Sequence, residues 1–217
     1  LEALLDAIAD DMRRRPVESA IEVFIGDYID RGMQSSQVLD LLAQKSPGGC
    51  RRVCLLGNHE AVLLTCLQDA MAIRRWRTMG GLETLESYGI DPRILRPGVQ
   101  GEEFTQAVLS QVPERHWAFM RELVPAFAID GLFFAHAGVR PGIALNQQSR
   151  RDLLWIRDEF LESRAEFGKI VVHGHTPVSE VAFRENRINL DTGAYATGRL
   201  SCVVIDFDET QVLVASA

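Results

Sequence analysis

Polar residues that could bind metal ions or phosphate follow directly after five short apolar runs of this sequence. The runs end in Gly26-Asp27, Gly57-Asn58-His59-Glu60, His136-Ala137-Gly138, His173-Gly174-His175 and Asp191-Thr192-Gly193. Carboxylates, amide oxygens and imidazoles together suit a divalent cation such as Mn²⁺, Fe or Zn²⁺ and do not form a thiolate site. The adjacent glycines let the backbone turn sharply and approach a ligand closely.

Each of these segments also has a simpler interpretation. A Gly-Asp or Asn-His pair after a strand is commonly a turn or a helix cap. The five histidines of the chain, however, fall mostly in these segments, and His116 alone lies elsewhere. Ligands in open α/β sheets bind at the carboxyl ends of strands. The coincidence therefore favours one shared metal site over five unrelated turns.

Alternating strands and helices are predicted to position these segments. A helix of about 14 residues opens the chain, followed by a strand over 21–25, a helix over 34–44, a turn at Pro47-Gly48-Gly49 and a strand over 53–56. This order is typical of βαβ units and a largely parallel sheet.

The remainder of the chain divides into a helix-rich and a strand-rich part. Residues 61–124 are predicted to form a helical insertion or cap. After it, Asp130-Gly131 predicts a tight hairpin turn, and one helix is expected over 151–162. The predicted strands of this part are 127–129, 132–135, 170–172, 180–183, 188–190, 200–207 and 212–214. No internal repeat interrupts the pattern, which favours a single α/β domain over 1–217.

Composition excludes several classes of protein. The 217 residues are 47% hydrophobic with a net charge of −7, which excludes intrinsic disorder and argues against a nucleic-acid partner. No apolar stretch approaches the roughly 20 residues of a membrane-spanning helix, so no membrane partner is expected. The four cysteines, at positions 50, 54, 66 and 202, lack C-x-x-C spacing, which is typical of reduced thiols in a cytoplasmic protein. The oligomeric state is not predicted.

The ordered motifs resemble those of a known family. G-D-Y-I-D-R-G at 26–32, G-N-H-E at 57–60, H-A-G at 136–138 and G-H at 174–175 are similar to the signature of the phosphoprotein phosphatase branch of the calcineurin-like metallophosphoesterases. The stretch W-R-T-M-G-G-L-E-T-L-E-S-Y-G at 76–89 and the segments V-H-G-H-T-P and L-D-T-G-A-Y-A-T-G-R-L resemble the bacterial members. The resemblance covers nearly the whole chain. It implies an α/β fold in which a two-sheet β-sandwich is flanked by helices and carries a helical insertion.

The resemblance also implies a reaction. A bacterial member of this family is a metal-dependent phosphomonoesterase, most directly a Ser/Thr protein phosphatase that also accepts phosphotyrosine in some cases. It uses a metal-bound hydroxide for in-line attack on phosphorus. The expected partner is a phosphoprotein or a small phosphoester. Two alternatives stay open: a dinucleoside polyphosphate hydrolase and a non-catalytic phosphate-binding protein.

Residue roles follow from the resemblance position by position. Asp27 is implied to bridge two divalent metal ions, of which Mn²⁺ is expected first and Fe or Zn²⁺ are alternatives. The second metal is completed by Asn58, His136 and His175. The catalytic residues are Arg31, which is implied to bind substrate phosphate, and His59, which is implied to be the general acid oriented by Asp30. An Asp beside an imidazole favours the protonated ring, and a guanidinium matches two phosphate oxygens.

Further residues are weaker candidates for the site. Arg157 and Arg140 are expected to bind phosphate, with an ordinary surface cation as the alternative for each. His173 is expected to contact substrate or to support the ligand His175. The cluster Arg74, Arg75 and Arg77 around Trp76 favours a solvated helix face, or else a lip that attracts anions.

One family motif is missing from the 217 residues. The family places G-D-x-H-G before its first helix, and the Asp and His of that motif are the remaining ligands of the first metal. Here the first residues already have the pattern of that helix. The first-metal site is therefore incomplete in this sequence, and the motif is expected upstream of Leu1. Its true absence from the gene would favour the non-catalytic alternative.

Overall fold

The computed structural model describes residues 1–44, 46, 50–96, 98–99, 101–206 and 209–216. The predicted turn at Pro47-Gly48-Gly49 lies outside the described residues. The chain divides into two compact units. The first unit comprises Leu1–Ile25, Ser46–Leu55 and Val124–Ala217, and the second comprises Gly26–Lys45 and Leu56–Leu123. Helices and strands are numbered in chain order across both units.

The first unit contains the strands. Its helices and strands are α1 (Glu2–Arg14), β1 (Ile21–Phe24), β2 (Arg51–Cys54), β3 (Ala126–Ile129), β4 (Leu132–Ala135), α8 (Arg150–Trp155), α9 (Asp158–Leu161), β5 (Ile170–His173), β6 (Ala182–Phe183), β7 (Arg187–Asn189), α10 (Ala194–Thr197), β8 (Arg199–Asp206) and β9 (Glu209–Ser216), with a short 3₁₀ helix at Leu145–Gln147.

The strands form one larger and two smaller sheets. The larger sheet has the order β3-β4-β5-β7-β6, in which β4, β5 and β7 are parallel and the outer strands β3 and β6 are antiparallel. The pair β1-β2 is parallel, and β8-β9 is an antiparallel hairpin. The turn predicted at Asp130-Gly131 joins β3 to β4, with Asp130 at a φ of 46°. Parallel strands joined by crossovers bring their carboxyl ends to one edge, where His136 follows β4 and His175 follows β5.

Side chains that alternate along β4 and β5 fill the core on both faces of the larger sheet. Phe133 and Val171 face a cluster that includes Phe160 of α9. Their neighbours Phe134 and Val172 face the opposite way, into a cluster with Leu55. Partly buried residues of other strands pack on this second cluster, among them Val23, Val53 and Val203. Each buried aromatic or aliphatic side chain contributes about 1.5–3 kcal/mol to folding.

The second unit contains helices. They are α2 (Ser35–Leu42), α3 (Asn58–Cys66), α4 (Ala70–Thr78), α5 (Gly81–Ser87), α6 (Gly101–Gln111) and α7 (Glu114–Glu122), with a 3₁₀ helix at Pro92–Leu95. Trp76 of α4 and Phe104 of α6 are fully buried and pack edge to face, with ring centroids 5.8 Å apart. His116 of α7 is also buried, and its ring nitrogens contact the Tyr88 hydroxyl and the Asp40 carboxylate.

Several predicted elements differ from the structure. The strands predicted over 53–56 and 212–214 are Arg51–Cys54 and Glu209–Ser216. The single helix predicted over 151–162 is wrong, because α8 ends at Trp155 and α9 begins at Asp158. Arg157 breaks the helix with a φ of −133° and a ψ of −105°. The strand predicted over 180–183 is reduced to Ala182–Phe183 at the edge of the larger sheet. For residues 151–162 and 180–183, the apolar pattern of the sequence continues through residues whose backbone is irregular.

None of the four cysteines forms a disulfide. Burial raises the pKa of the Cys66 thiol to about 12, which keeps it protonated and unreactive at neutral pH. Within the described part of the chain, every helix is too short or too polar to cross a membrane.

Candidate active site

The loop after β1 holds three candidate residues in an uncommon backbone conformation. Asp27, Asp30 and Arg31 have φ values of 59°, 73° and 64°. Left-handed backbone costs a residue other than glycine about 1–3 kcal/mol, so it persists only where the surrounding structure enforces it. Among the described non-glycine residues, the others with positive φ are His175 and the hairpin residue Asp130. Four of these five residues are therefore ones that the sequence singled out for chemistry.

Glu60 enforces the conformation of this loop. Its Oε2 accepts the backbone N–H groups of Asp27 at 3.1 Å and Gly57 at 3.0 Å. Its Oε1 accepts those of Tyr28 at 2.6 Å and Ile29 at 3.2 Å. The Gly57 contact also caps the start of α3, because Glu60 is the third residue of that helix.

The close approach of the Asp27 loop requires glycine at position 57. A Cβ on Gly57 would lie 2.3 Å from both the backbone nitrogen and Oδ1 of Asp27.

Burial and the negative charge of Asp27 raise the pKa of Glu60 to about 8. The four N–H donors oppose that shift, because they need a carboxylate that only accepts.

Asp30 and His59 form a buried hydrogen-bonded pair. Asp30 Oδ2 lies 2.7 Å from His59 Nδ1, and the two side chains are 0% and 2% exposed. Burial alone would lower the pKa of His59, but the hydrogen bond to Asp30 and the charges of Asp27, Asp30 and Glu60 outweigh it, so the pKa is raised above its usual value. The predicted orientation of His59 by Asp30 is present in the structure.

Arg31 lies against the other ring nitrogen of this histidine. Its Nη2 is 3.0 Å from His59 Nε2, and Asp27 Oδ2 lies 3.8 Å from the same nitrogen. The backbone N–H of Arg31 donates to the carbonyl of Gly80, 3.1 Å away, in the turn between α4 and α5. Asn58 is the first residue of α3 and directly precedes His59 in the sequence, and its side chain is buried. The second unit thus brings together carboxylate, guanidinium and imidazole groups of the predicted set.

The first unit places two predicted metal ligands close together. His136 Nε2 lies 3.2 Å from His175 Nδ1, with the rings edge to face. His136 Nδ1 donates to the carbonyl of Ile25 at 2.8 Å, which leaves the lone pair of the ring on Nε2. Fixing the tautomer in this way is what metal-binding histidines require. The donor set of two imidazoles therefore fits a divalent cation.

Glycine lets these two loops lie close together. Gly174 donates its N–H to the carbonyl of His136 at 2.8 Å. A Cβ at position 174 would lie 2.9 Å from Cδ1 of Ile25. His175 follows directly with a φ of 66°.

His173 does not share the setting of His175. Its side chain is fully buried at the end of β5, with its ring 4.9 Å from that of Phe160. Burial lowers its pKa to about 4, which keeps the ring neutral. A supporting role behind His175 is more consistent with this burial than contact with substrate, although both stay predictions.

The two further arginines differ in their partners. Arg157 is exposed and donates to the Thr176 hydroxyl at 3.0 Å, one residue after His175. Arg140 is held by the carboxylates of Asp152 and Glu159. Binding of phosphate by Arg140 would require breaking these ion pairs, whereas Arg157 has no carboxylate partner that the structure describes.

The basic cluster on α4 surrounds a buried residue. Arg74, Arg75 and Arg77 are exposed, as a solvated helix face requires. Trp76 between them is fully buried, and its indole Nε1 donates to both carboxylate oxygens of Asp30. Sequence reasoning missed this contact, and it also missed Thr84 and Glu60 as supports of the site. The resemblance of 76–89 to bacterial members and the spacing of Gly57 to Glu60 were the available signals.

We predict that Gly138→Ala destabilises the first unit. A Cβ at this position would lie 2.2 Å from the ring of Phe160, and the φ of 141° is strained for alanine. Overpacking of this kind costs about 1–3 kcal/mol, which lowers the thermal midpoint by several degrees. Thermal unfolding followed by circular dichroism measures the shift.

The control for this prediction is Gly131→Ala in the β3-β4 turn, where a Cβ meets nothing within 4 Å. Equal midpoints for the two variants would contradict the assigned packing of Gly138 on Phe160.

Comparison with known proteins is consistent with the motifs. Residues 1–205 match the family model described as calcineurin-like phosphoesterase. The chain is 27% identical over 200 residues to the asymmetrical bis(5′-nucleosyl)-tetraphosphatase PrpE of Anoxybacillus flavithermus. That alignment covers 83% of this chain and 73% of the relative.

Two solved structures share the fold. One is a protein provisionally assigned as a diadenosine tetraphosphatase, with a TM-score of 0.59, 19% identity and coverage of 95% of this chain and 86% of that one. The other is the cold-active protein-tyrosine phosphatase of a psychrophilic Shewanella species, with a TM-score of 0.59, 14% identity and coverage of 90% and 69%. The predicted α/β fold with sheets flanked by helices is confirmed.

Proposed function

We propose, since the chain belongs to the calcineurin-like phosphoesterase family, that it hydrolyses dinucleoside polyphosphates with the help of divalent metal ions. Metal-dependent hydrolysis of phosphoesters is the chemistry of the family. The pair of Asp30 and His59 beside Arg31 is the observation that supports phosphoester hydrolysis by this chain, because it joins a proton donor to a phosphate-binding cation. The choice of substrate class rests on the relatives.

The proposed metal ligands are the four residues that the resemblance implies, Asp27, Asn58, His136 and His175. Oxygen and imidazole donors of this kind suit Mn²⁺, which we propose as the native metal, and also Fe or Zn²⁺. Bound divalent cations would supply neutralisation of phosphate charge and activation of the attacking water. The tautomer of His136, fixed by the Ile25 carbonyl, supports this assignment.

The side chains of the second unit perform the remaining tasks in this proposal. Arg31 binds non-bridging phosphate oxygens through its guanidinium. His59, oriented by Asp30, gives a proton to the oxygen that leaves phosphorus. The raised pKa of His59 keeps a larger fraction of the ring protonated for this transfer. The oxygen of water bonds to phosphorus, the P–O bond to the leaving group breaks, and the proton from His59 neutralises that leaving oxygen. The water loses one proton to solvent, and His59 regains its proton from solvent.

The relatives support the dinucleoside polyphosphate as substrate class. The curated relative at 27% identity is a bis(5′-nucleosyl)-tetraphosphatase, and its alignment spans most of both chains. Hydrolysis of such a substrate breaks a P–O–P bridge and releases two nucleotides.

A phosphomonoester, such as phosphoserine in a protein, is the second candidate. The buried Asp30–His59 pair favours it, because an alkoxide leaving group needs a proton more than a phosphate leaving group does. We also propose a cytoplasmic location, which the lack of a disulfide among the four cysteines supports.

A direct comparison of substrates tests the proposal. The full-length protein is assayed with Mn²⁺ on diadenosine tetraphosphate, a phosphoserine peptide and p-nitrophenyl phosphate. We expect kcat/KM for diadenosine tetraphosphate to exceed the other two by about tenfold or more, a difference of about 1.4 kcal/mol in transition-state binding. Chromatography of the products then separates cleavage to AMP and ATP from cleavage to ADP.

Two results would contradict the proposed substrate or activity. A higher kcat/KM for the phosphopeptide would replace the proposal with a protein phosphatase. An absence of turnover on all three substrates with Mn²⁺, Fe²⁺ and Zn²⁺, together with phosphate binding, would favour the non-catalytic alternative.

A further inference from the structure

We propose that Trp76 and Thr84 are positioning residues that fix the ring of His59 by holding the carboxylate of Asp30. This inference rests on the proposed function, because it assigns support to the proposed proton donor. Among the described residues, neither Trp76 nor Thr84 forms a hydrogen bond with the His59 ring. Both act through a carboxylate that touches the ring.

The carboxylate of Asp30 is held on both oxygens. Thr84 Oγ1 donates to Oδ1 at 2.6 Å. The indole Nε1 of Trp76 lies 3.1 Å from Oδ1 and 2.9 Å from Oδ2. Oδ2 also accepts the Nδ1 hydrogen of His59, 2.7 Å away. An indole N–H is only a donor, so the three contacts together define an acceptor-only carboxylate with a single orientation.

Thr84 also fixes the backbone from which this carboxylate extends. The N–H of Asp30 donates to Thr84 Oγ1 at 2.8 Å and lies 3.2 Å from Oγ of Ser35. One hydroxyl group therefore accepts from the backbone of Asp30 and donates to its side chain. This closed arrangement restricts rotation of the Asp30 side chain while its backbone is held at a φ of 73°.

The helices α4 and α5 deliver both groups to one point. Trp76 is on α4 and Thr84 on α5, and the intervening Gly80 accepts the backbone N–H of Arg31. A Cβ on Gly81 would lie 2.6 Å from the indole of Trp76, so the start of α5 packs directly on that ring.

Burial makes the loss of any one of these hydrogen bonds costly. Trp76 is 0% exposed, Thr84 is 2% exposed and the side chain of Asp30 is 0% exposed, so water cannot replace a lost donor easily. A buried carboxylate that loses a donor is expected to rotate towards the donors that remain. The His59 ring would then lose the fixed partner that orients its Nε2.

A pair of tryptophan variants tests the inference. Trp76→Phe removes the indole N–H that binds Asp30. Trp117→Phe is the matched control, because Trp117 is also buried in the second unit and its Nε1 has no hydrogen-bond partner within the described residues. Both variants lose the same atoms, and only the first loses a contact to Asp30.

The first readout is the dependence of kcat on the leaving group in the full-length protein with Mn²⁺. Phenyl phosphate needs protonation of its leaving oxygen, and 2,4-dinitrophenyl phosphate does not. We expect Trp76→Phe to lower kcat on phenyl phosphate by about tenfold to a hundredfold and on the dinitrophenyl ester by less than about threefold, within the range of general-acid catalysis. Trp117→Phe is expected to change both values by the same small factor.

The second readout does not depend on turnover. The Nδ1 proton of His59, bound to Asp30, is expected as a downfield proton resonance in the wild-type protein and in Trp117→Phe. We expect its loss in Trp76→Phe and in Thr84→Val, and its return in Thr84→Ser, which restores the hydroxyl. Thr84→Val also covers the case in which Trp76→Phe does not fold.

The outcomes separate the two proposals. If His59→Ala lowers kcat on phenyl phosphate and on 2,4-dinitrophenyl phosphate by the same factor, the proposed proton donor is wrong. The resonance of the Nδ1 proton in the other variants still tests the positioning. Equal effects of Trp76→Phe and Trp117→Phe on the rate ratio would overturn the inference. So would an unchanged resonance in Trp76→Phe and Thr84→Val.

Discussion

Asp27→Asn is expected to abolish metal-dependent phosphoester hydrolysis by the full-length protein. Asparagine has the same shape and tolerates the left-handed backbone, where Asp27 has a φ of 59°. The substitution therefore removes one negative charge and one anionic ligand while the fold is retained. We expect a loss of about 10³-fold or more in kcat/KM, the scale of losing one major electrostatic contact to the transition state.

The matched control is Asp130→Asn. Asp130 is an exposed aspartate that also has a positive φ, of 46°, in the β3-β4 turn. It tests removal of charge from left-handed backbone at a residue outside the motifs, and the activity of this variant is expected to equal that of the wild type. Isothermal titration with Mn²⁺ gives an independent readout, because Asp27→Asn is expected to weaken binding and Asp130→Asn is not. Unchanged turnover and unchanged Mn²⁺ binding in Asp27→Asn would refute the role of Asp27.

Glu60→Gln is expected to lower the free energy of unfolding by about 2–3 kcal/mol, the cost of leaving a buried polar group unpaired. Each carboxylate oxygen of Glu60 accepts two backbone N–H groups. A glutamine must turn its NH₂ group toward one of these pairs of donors, where no acceptor is available among them. The loop of Asp27 then loses one or two of the three backbone contacts that Glu60 makes to it, depending on which way the amide turns.

Urea denaturation at pH 9 in the presence of EDTA measures this loss of stability. The pH is chosen because burial and the charge of Asp27 raise the pKa of Glu60 to about 8. The carboxylate of the wild type is then charged, as the acceptor role requires. The control is Glu86→Gln on the exposed face of α5, which makes the same chemical change without burial. Equal stabilities of wild type and Glu60→Gln would contradict the role of Glu60 as an anionic anchor of the loop.

The amino-acid sequence by itself determined most local structure and the set of chemical groups. Apolar runs that end in Gly-Asp, Gly-Asn-His or His-Ala-Gly predicted both the strands and the loops that follow them, because strand patterns and glycine turns are local properties. The hairpin turn at Asp130-Gly131 was predicted for the same reason and is present. The ordered motifs were sufficient for the family, which the match over residues 1–205 confirms.

The tertiary structure alone decided how those groups are held. Asp30 is fixed by Trp76 and Thr84, which lie 46 and 54 positions away in the sequence, and Asp27 by Glu60, 33 positions away. The break at Arg157 and the left-handed backbone of four site residues were equally absent from the local pattern. Such features arise where packing and buried hydrogen bonds between distant segments outweigh the backbone preferences of each residue, and residue types along a chain record only the latter.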